Sequence, residues 1–249
     1  MEIVIDNVKT NYEVIGDGHP FLILHGWGSN IERWTEVAEK IAEKGYRVFI
    51  VDLPGFGTSE PIPVPWNTNK YVTWLEGFTK TLNLNEYYLL GHSFGGALAS
   101  KIAVKHPQDV KQLFLVSAAC IRRRTGKKSF LASIAKIVKI FYFLPFYNFF
   151  RKAVYKFIIR KSDYTHVSGI MKQTYLNIIS ENLSFHLSFI KVPTIIIWGD
   201  KDDSTPLEDA HLINKNIKNS RLIVIPGAGH DLNRKQPEIV AEKVLENII

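Results

Sequence analysis

The sequence predicts an α/β protein with a doubly wound, mostly parallel sheet of eight strands and a helical insertion. Short apolar runs alternate with segments of helical periodicity along most of the 249 residues, as is typical of parallel strands joined by helices. Residues 121–190 interrupt this alternation and show only helical patterns. With 46% hydrophobic and 22% charged residues, the composition is that of one globular domain rather than a disordered or fibrous chain.

The first part of the chain contains two kinds of strand pattern. Residues 2–5 and 11–15 alternate apolar and polar side chains, which predicts an antiparallel pair at a sheet edge. Residues 21–24 and 47–51 are continuous apolar runs, as expected of central parallel strands covered on both faces. Between these runs, residues 31–44 place apolar side chains on one helical face.

The remaining elements continue the same alternation. Helical periodicity over residues 69–82 precedes the strand and the helix that flank Ser93. The closing helix, predicted over residues 237–249, begins with a proline, which is common at the first helical position. Further central strands are predicted over residues 113–116, 194–198 and 222–225.

Ser93 lies in the motif Gly91-His92-Ser93-Phe94-Gly95, between a buried strand and the start of a helix. Gly-x-Ser-x-Gly turns hold the serine in a strained backbone conformation, with glycines where a side chain would collide. The hydroxyl is therefore presented rather than packed. The Phe94 N–H, at the positive end of the helix dipole, would face an anion formed beside Ser93. Taken alone, the motif also fits a plain glycine-rich turn.

The positive charge is concentrated in one segment. The formal net charge is +7, yet residues 121–161 contain 12 Lys or Arg and no acidic residue. The segment has no recognised RNA-binding motif, so we expect no nucleic-acid partner. Its apolar run, residues 140–150, contains a proline and is too short to span a membrane.

The cysteine content and the motifs present predict no disulfide, metal or cofactor. Cys120 is the only cysteine, and after Ser117-Ala118-Ala119 it is more typical of a small buried residue than of a nucleophile. No Cys/His cluster or phosphate-binding glycine loop is present. The first residues lack the basic and apolar regions of a signal peptide, so we expect a cytoplasmic protein.

The chain contains five motifs whose order resembles that of a known protein family. With the Ser93 turn they are His-Gly-Trp-Gly at residues 25–28, the Pro/Gly loop of residues 52–59, the acidic loop of residues 199–206 and Pro-Gly-Ala-Gly-His at residues 226–230. In this order they resemble the α/β-hydrolase superfamily, in particular its small serine esterases, carbon–carbon hydrolases and cofactor-free haloperoxidases. The resemblance implies an α/β-hydrolase core over residues 1–120 and 190–249 and a helical cap over residues 121–189, above Ser93.

The family's catalytic triad runs along the chain as nucleophile, acid and histidine, which implies Ser93, Asp202 and His230. Asp202 matches the family's Gly-x-x-Asp-x-x-x-Pro pattern, although Asp200 and Asp203 on the same loop could also reach the imidazole. His230 would take the proton of Ser93, and the acid would fix its tautomer. A serine nucleophile excludes the dehalogenases and epoxide hydrolases of this fold, which carry aspartate at this position.

The resemblance also implies an oxyanion hole formed by the backbone N–H groups of Trp27 and Phe94. The Trp27 ring is expected to line the pocket. We interpret two further motif histidines as structural: His25 braces the oxyanion loop, and His92 packs or hydrogen-bonds beneath the turn.

The aromatic and basic side chains of the cap have three interpretations. They can pack on the core while the cations face solvent, or line an acyl or aromatic substrate pocket. They can also make weak contact with an anionic membrane through a basic run that begins at Arg122-Arg123-Arg124 and includes Lys127 and Lys128.

The expected function is hydrolysis of a carboxylic ester through an acyl-Ser93 intermediate, without metal or cofactor. An aromatic cap favours a closed pocket, so the expected partner is a small-molecule ester with a short to medium acyl chain. The alternatives are carbon–carbon bond hydrolysis of a vinylogous diketone, and a non-catalytic ligand-binding protein that keeps the fold.

Overall fold

The computed structural model of the chain describes residues 1–122 and 168–249. Eight strands form a single sheet, in the order β1-β2-β4-β3-β5-β6-β7-β8. The strands are β1 (Glu2–Ile5), β2 (Val8–Ile15), β3 (His19–Leu24), β4 (Tyr46–Val51), β5 (Tyr87–His92), β6 (Val110–Val116), β7 (Thr194–Gly199) and β8 (Ser220–Ile225). β2 is antiparallel to both β1 and β4, and the other pairs are parallel. The predicted mostly parallel, eight-stranded sheet is therefore confirmed.

Helices cover both faces of the sheet. Within the described ranges they are Thr35–Ala42, Thr68–Thr81, Phe94–Lys105, Gly169–Ser180, Leu207–Asn216, Leu232–Lys235 and Pro237–Leu245. Along β3, Leu22 and Leu24 belong to one apolar cluster, whereas Phe21 and Ile23 belong to the other. Successive strand residues point to opposite faces, so a strand buried on both faces has a continuous apolar sequence. Each such side chain stabilises the fold by about 1.5–3 kcal/mol when fully buried.

Two helices are shorter than the periodicity predicts. The pattern of residues 31–44 begins as a 3₁₀ turn, Glu32–Trp34, in which the Trp34 N–H donates to the Ile31 carbonyl at 2.7 Å. The closing helix ends at Leu245, whereas the sequence predicts that it continues to residue 249. The last residue is instead tied to the sheet, because the Ile249 carbonyl accepts from the Tyr88 hydroxyl at 2.6 Å. A local 3₁₀ bond thus replaces the first helical turn, and a tertiary hydrogen bond holds the last residue outside the closing helix.

The Gly169–Ser180 helix packs on the core of the molecule. The Gly169–Ser180 helix is held beside the loop before the Thr68–Thr81 helix, because Thr174 Oγ1 accepts from the Trp66 N–H at 3.0 Å and the Asn177 amide donates to the Trp66 carbonyl at 3.1 Å. Glu181 then forms a part-buried ion pair with Lys101 at 2.5 Å. These contacts hold the helix and the residue that follows it against the core.

Most of the proposed cap lies outside the described residues. The basic and aromatic residues from 123 to 161 are in that part of the chain, so the cap boundaries and the membrane contact stay predictions. Arg122 lies within the described range and is half-buried, with its N–H donating to Asn182 Oδ1 at 3.3 Å. In residues 1–122 and 168–249, no helix is long and apolar enough to cross a membrane.

Candidate active site

Ser93 lies at the turn between β5 and the Phe94–Lys105 helix. Its backbone has φ 51° and ψ −114°, in the left-handed half of conformational space that non-glycine residues rarely enter. Such a conformation costs about 1–3 kcal/mol and persists only where surrounding contacts hold it. Here the Ser93 N–H donates to the Val116 carbonyl at 3.1 Å, and its carbonyl accepts from the Ala119 N–H at 2.9 Å. The turn is therefore fastened to the loop after β6.

The two glycines of the motif are required by close packing. A Cβ on Gly91 would lie 2.4 Å from the Gly95 carbonyl oxygen, and one on Gly95 would lie 2.2 Å from the Leu24 carbonyl oxygen. Both distances are shorter than any real Cβ contact, so a side chain would force strand and helix apart. The glycines let the helix begin directly against the sheet, with Ser93 at its edge.

Three side chains from separate loops meet at this edge. His230 Nε2 lies 3.1 Å from Ser93 Oγ, and His230 Nδ1 lies 2.9 Å from Asp202 Oδ2. The loops follow β5, β7 and β8, whose carboxyl ends share one edge of the sheet. The structure therefore brings together the serine, the acid and the histidine of the predicted triad.

The three aspartates of the acidic loop have different environments. The Asp202 side chain is completely buried and contacts His230. Asp200 Oδ1 instead accepts from the Gly227 N–H at 2.6 Å and so fixes the turn before His230. Asp203 is exposed. Only Asp202 of the three forms a hydrogen bond to the imidazole in the described structure.

Hydrogen bonds keep Asp202 ionised despite its burial. Burial acts to raise the pKa of Asp202, but the hydrogen bonds from His230 and Thr205 outweigh it and lower that pKa. Asp202 Oδ1 also accepts from the N–H groups of Ser204 at 2.9 Å and Thr205 at 2.8 Å. A carboxylate held in this way accepts the Nδ1–H of His230, which leaves Nε2 free to accept the Ser93 proton.

Thr205 is a residue of the site that sequence reasoning missed. Its hydroxyl donates to Asp202 Oδ2 at 2.8 Å and lies 3.2 Å from His230 Nδ1. It therefore positions the carboxylate and the imidazole together. Aspartate side chains in loops often accept hydrogen bonds from backbone N–H groups a few residues later, as Asp202 does from Thr205. The spacing of Asp202 and Thr205 was therefore the sequence signal that could have indicated a role for Thr205.

The loop after β3 passes directly beside Ser93. A Cβ on Gly26 would lie 3.1 Å from Ser93 Cβ and 2.9 Å from His92 Nδ1, so a larger residue would not fit there. In the described part of the chain, neither the Trp27 N–H nor the Phe94 N–H has a hydrogen-bond partner. Phe94 is the first residue of its helix, where the dipole favours negative charge. These are the two donors that the sequence predicts for an oxyanion hole.

His25 connects this loop to the next one. Its Nδ1–H donates to the Gly26 carbonyl at 2.7 Å, and its Nε2 accepts from the Leu53 N–H at 3.0 Å. The imidazole is completely buried, and burial lowers the pKa of His25 to about 4. His25 is therefore neutral at pH 7 and braces the loop that carries Trp27.

His92 lies beneath the turn, behind His230. Its Nε2–H donates to the His230 carbonyl at 3.0 Å, and the two rings are 5.0 Å apart. Burial lowers the pKa of His92 to about 3. Its Nδ1 is buried and has no hydrogen-bond partner in the described ranges. His92 therefore holds the His230 loop in place as a neutral imidazole.

The two buried histidines predict acid sensitivity of folding. In the unfolded chain a histidine has a pKa of about 6.5, whereas the folded pKa values are about 4 for His25 and about 3 for His92. Below about pH 6.5 the unfolded state binds protons that the folded state does not, so the free energy of unfolding falls as pH falls, by about 1.4 kcal/mol per unit for each histidine.

Urea unfolding at about pH 7 and about pH 5 measures this effect. The two histidines together should lower the free energy of unfolding by roughly 4 kcal/mol over that interval. His92→Gln should remove about half of this loss. An equal pH dependence in the parent and in His92→Gln would show that His92 is not kept neutral by burial.

A polar cleft opens beside Ser93. Its volume is about 730 Å³, and its walls include Gly26, Trp27, Ser93 and His230. Beside it, the Trp27 ring contacts the rings of Phe56, Phe94 and Tyr175, with centroids 4.8, 5.9 and 5.1 Å away. The reacting groups thus lie between a polar cleft and an aromatic cluster.

The described residues form no other reactive centre. Cys120 is completely buried, and burial raises the pKa of its thiol to about 11, so it is a poor nucleophile. Within residues 1–122 and 168–249, no group of three or more His, Cys, Asp or Glu side chains could hold a metal ion.

Comparisons with known proteins agree with this fold. The family model of the alpha/beta hydrolase fold matches residues 19–157, more than half of the chain. The chain therefore belongs to the α/β-hydrolase fold family.

Individual relatives cover most of the chain at modest identity. Lipase 1 of Psychrobacter immobilis is 28% identical over 235 residues, which cover 86% of this chain and 71% of the lipase. An AB hydrolase superfamily protein of Bacillus subtilis, YisY, is 29% identical over 249 residues and covers 90% of each chain. The solved structure of an esterase from Exiguobacterium antarcticum has a TM-score of 0.77 and 25% identity, covering 99% of this chain and 98% of the esterase.

Proposed function

We propose that the protein is a serine hydrolase that cleaves a carboxylic ester through an acyl-Ser93 intermediate. The observation that carries the proposal is the chain of hydrogen bonds from Ser93 Oγ to His230 Nε2, 3.1 Å, and from His230 Nδ1 to Asp202 Oδ2, 2.9 Å. The lipase and the esterase among the similar proteins support ester hydrolysis as the reaction.

The acylation step follows from this geometry. Asp202 accepts the Nδ1–H of His230, so Nε2 carries a lone pair that takes the Ser93 proton as Oγ attacks the ester carbonyl carbon. The carbonyl oxygen becomes an oxyanion, which the N–H groups of Trp27 and Phe94 stabilise. When the tetrahedral intermediate collapses, the protonated Nε2 gives its proton to the leaving alcohol.

The deacylation step repeats the sequence with water. His230 Nε2 takes a proton from water, whose oxygen attacks the acyl carbon and forms a second oxyanion. Collapse breaks the bond to Ser93 Oγ, which recovers its proton from Nε2. One ester and one water become one acid and one alcohol, and the site returns to its starting state.

The aromatic cluster beside Ser93 supports a short to medium acyl chain. The Trp27 ring packs edge to face against Phe56 and Phe94, and Tyr175 from the Gly169–Ser180 helix adjoins the same ring. Closely packed aromatic walls favour an enclosed apolar pocket over an open groove.

Rates across p-nitrophenyl esters from two to about sixteen acyl carbons test this preference. The value of kcat/KM should be highest for chains of roughly four to eight carbons, because each buried methylene adds binding until the pocket is full. A maximum at the longest chains would indicate a lipase-like groove instead. A vinylogous diketone measured in parallel tests the alternative reaction, and faster cleavage of the diketone than of every ester would overturn the ester assignment.

A fluorophosphonate probe separates a hydrolase from a protein that only binds ligands. The probe should label the folded protein at Ser93 and should not label Ser93→Ala, because labelling requires a serine activated by a base. Ser188→Ala, which removes an exposed serine, is the matched control and should label like the parent. Absence of labelling in the folded parent would support the non-catalytic alternative.

A further inference from the structure

The polar cleft beside Ser93 has a cationic rim. Its lining includes four basic residues, Arg33, Lys201, Arg234 and Lys235. The lining also includes two carboxylates: Asp231, which pairs with Arg234 at 2.8 Å, and the exposed Asp203, so the cations outnumber the carboxylates by two. Within the described ranges, the exposed Arg33, Lys201 and Lys235 form no ion pair. Three cations therefore remain available to a ligand in the cleft.

Backbone contacts hold the rim in place. The buried Asn233 side chain donates to the Arg33 carbonyl at 2.8 Å, which joins the 3₁₀ turn Glu32–Trp34 to the helix Leu232–Lys235 that carries Arg234 and Lys235. The Lys201 N–H donates to the Ala228 carbonyl at 2.8 Å, which joins the loops after β7 and β8. Cations from three separate segments are thus held around one opening.

The rim contrasts with the charge of the described structure as a whole. Residues 1–122 and 168–249 contain 20 basic and 23 acidic residues, a slight excess of negative charge. A local excess of cations at a concave site raises the local concentration of anionic ligands. The same cleft is lined by Ser93 and His230, so an anion held there would be attached to, or lie beside, the reacting ester.

We infer that the cleft binds a negatively charged group of the ester substrate, a carboxylate or a phosphate, while Ser93 attacks the ester bond. This inference rests on the proposed ester hydrolysis and narrows its substrate class to anionic esters. Lysine ammonium and arginine guanidinium groups bind either anion, and a guanidinium can bind it in a bidentate manner.

Matched substrate pairs test the inference and distinguish the two anions. The first pair is p-nitrophenyl hydrogen adipate, with a free carboxylate on the acyl chain, and uncharged p-nitrophenyl hexanoate. The second pair is monohexanoyl glycerol phosphate, with the charge on the alcohol, and monohexanoyl glycerol. For at least one pair, kcat/KM should be higher for the anionic member by about fivefold or more, and NaCl at about 0.5 M should reduce that ratio through screening.

A variant that lacks three of the rim cations tests whether the preference for anionic esters arises in the cleft. The combined variant Arg33→Gln, Lys201→Gln and Lys235→Gln should lower the anionic-to-neutral ratio of kcat/KM to about one, because each exposed ion pair contributes up to about fivefold and all three are removed. The matched control, Lys44→Gln, Lys215→Gln and Lys218→Gln, removes the same charge from exposed positions away from the cleft and should leave the ratio unchanged.

The outcomes separate this inference from the proposed function. If the neutral esters are hydrolysed in a reaction that requires Ser93, and neither anionic member is preferred, the inference is overturned. The proposed ester hydrolysis is then retained. Equal ratios in the cleft variant and the control variant also overturn it. Failure to hydrolyse any of the four esters, with no fluorophosphonate labelling, overturns both.

Discussion

Ser93→Ala and His230→Ala should each lower kcat for a p-nitrophenyl ester by roughly 10³-fold or more. Oγ is the attacking atom, and Nε2, which lies 3.1 Å away, is the base that accepts its proton. Neither residue can act without the other. The double variant should therefore be little slower than either single variant, since members of one proton-transfer unit have non-additive effects.

Two controls accompany these variants. Ser188→Ala and His211→Ala make the same chemical changes at exposed positions, and both should keep the parent kcat. Steady-state rates on purified, folded variants suffice for the comparison. Additive effects of Ser93→Ala and His230→Ala in the double variant would mean that the two residues act in separate steps, contrary to the mechanism proposed here.

Asp202→Asn should lower kcat by at least roughly 10²-fold, less than Ser93→Ala but far more than Asp200→Asn or Asp203→Asn. The amide of asparagine has the shape of the carboxylate but can donate to Nδ1. This favours the tautomer that carries its proton on Nε2, which cannot take the Ser93 proton.

The neighbouring aspartates serve as matched controls for the same substitution. Asparagine at position 200 still offers an oxygen to the Gly227 N–H, and Asp203 is exposed, so each change should cost less than about tenfold. Rates of the three variants on one ester decide among the three carboxylates. If the largest loss falls on Asp203, the assignment of the acid to Asp202 is wrong.

The parts of the fold that the sequence predicts best depend on local patterns. The continuous apolar runs of β3 and β4 predict central strands because each residue faces one of two buried layers. The glycines around Ser93 likewise predict a tight turn, because their close contacts involve the strand and helix that they join. Element order and the position of Ser93 are therefore predictable from the sequence.

The features that the sequence does not predict depend on contacts between distant segments. Which of three neighbouring aspartates reaches His230 is set by how the loop folds over β7, and sequence spacing alone leaves all three open. Thr205 joins the site through its side chain, and His92 through the His230 carbonyl, 138 positions along the chain. The early end of the last helix likewise reflects the contact between Ile249 and Tyr88.

The cationic rim of the cleft also cannot be predicted from the sequence. The basic segment of residues 121–161 dominates the charge pattern, whereas Arg33, Lys201 and Lys235 lie on three segments that are far apart in the sequence. Only the folded arrangement of the segments that follow β3, β7 and β8 brings them to one cleft. The charge pattern along the chain therefore predicts the net charge, but it does not predict which cations line the cleft beside Ser93.

Detection of an acyl group on Ser93 shows whether ester hydrolysis passes through an acyl-Ser93 intermediate. The parent protein is mixed with p-nitrophenyl butyrate, quenched in acid within milliseconds to seconds, and digested for peptide mass analysis, while release of p-nitrophenol is followed in parallel. We expect a butyryl group on the peptide that contains Ser93, together with a burst of p-nitrophenol of about one equivalent when deacylation is rate-limiting. Ester turnover in the parent that persists in Ser93→Ala, with the acyl group on another residue or on none, would contradict the proposed acyl-Ser93 intermediate.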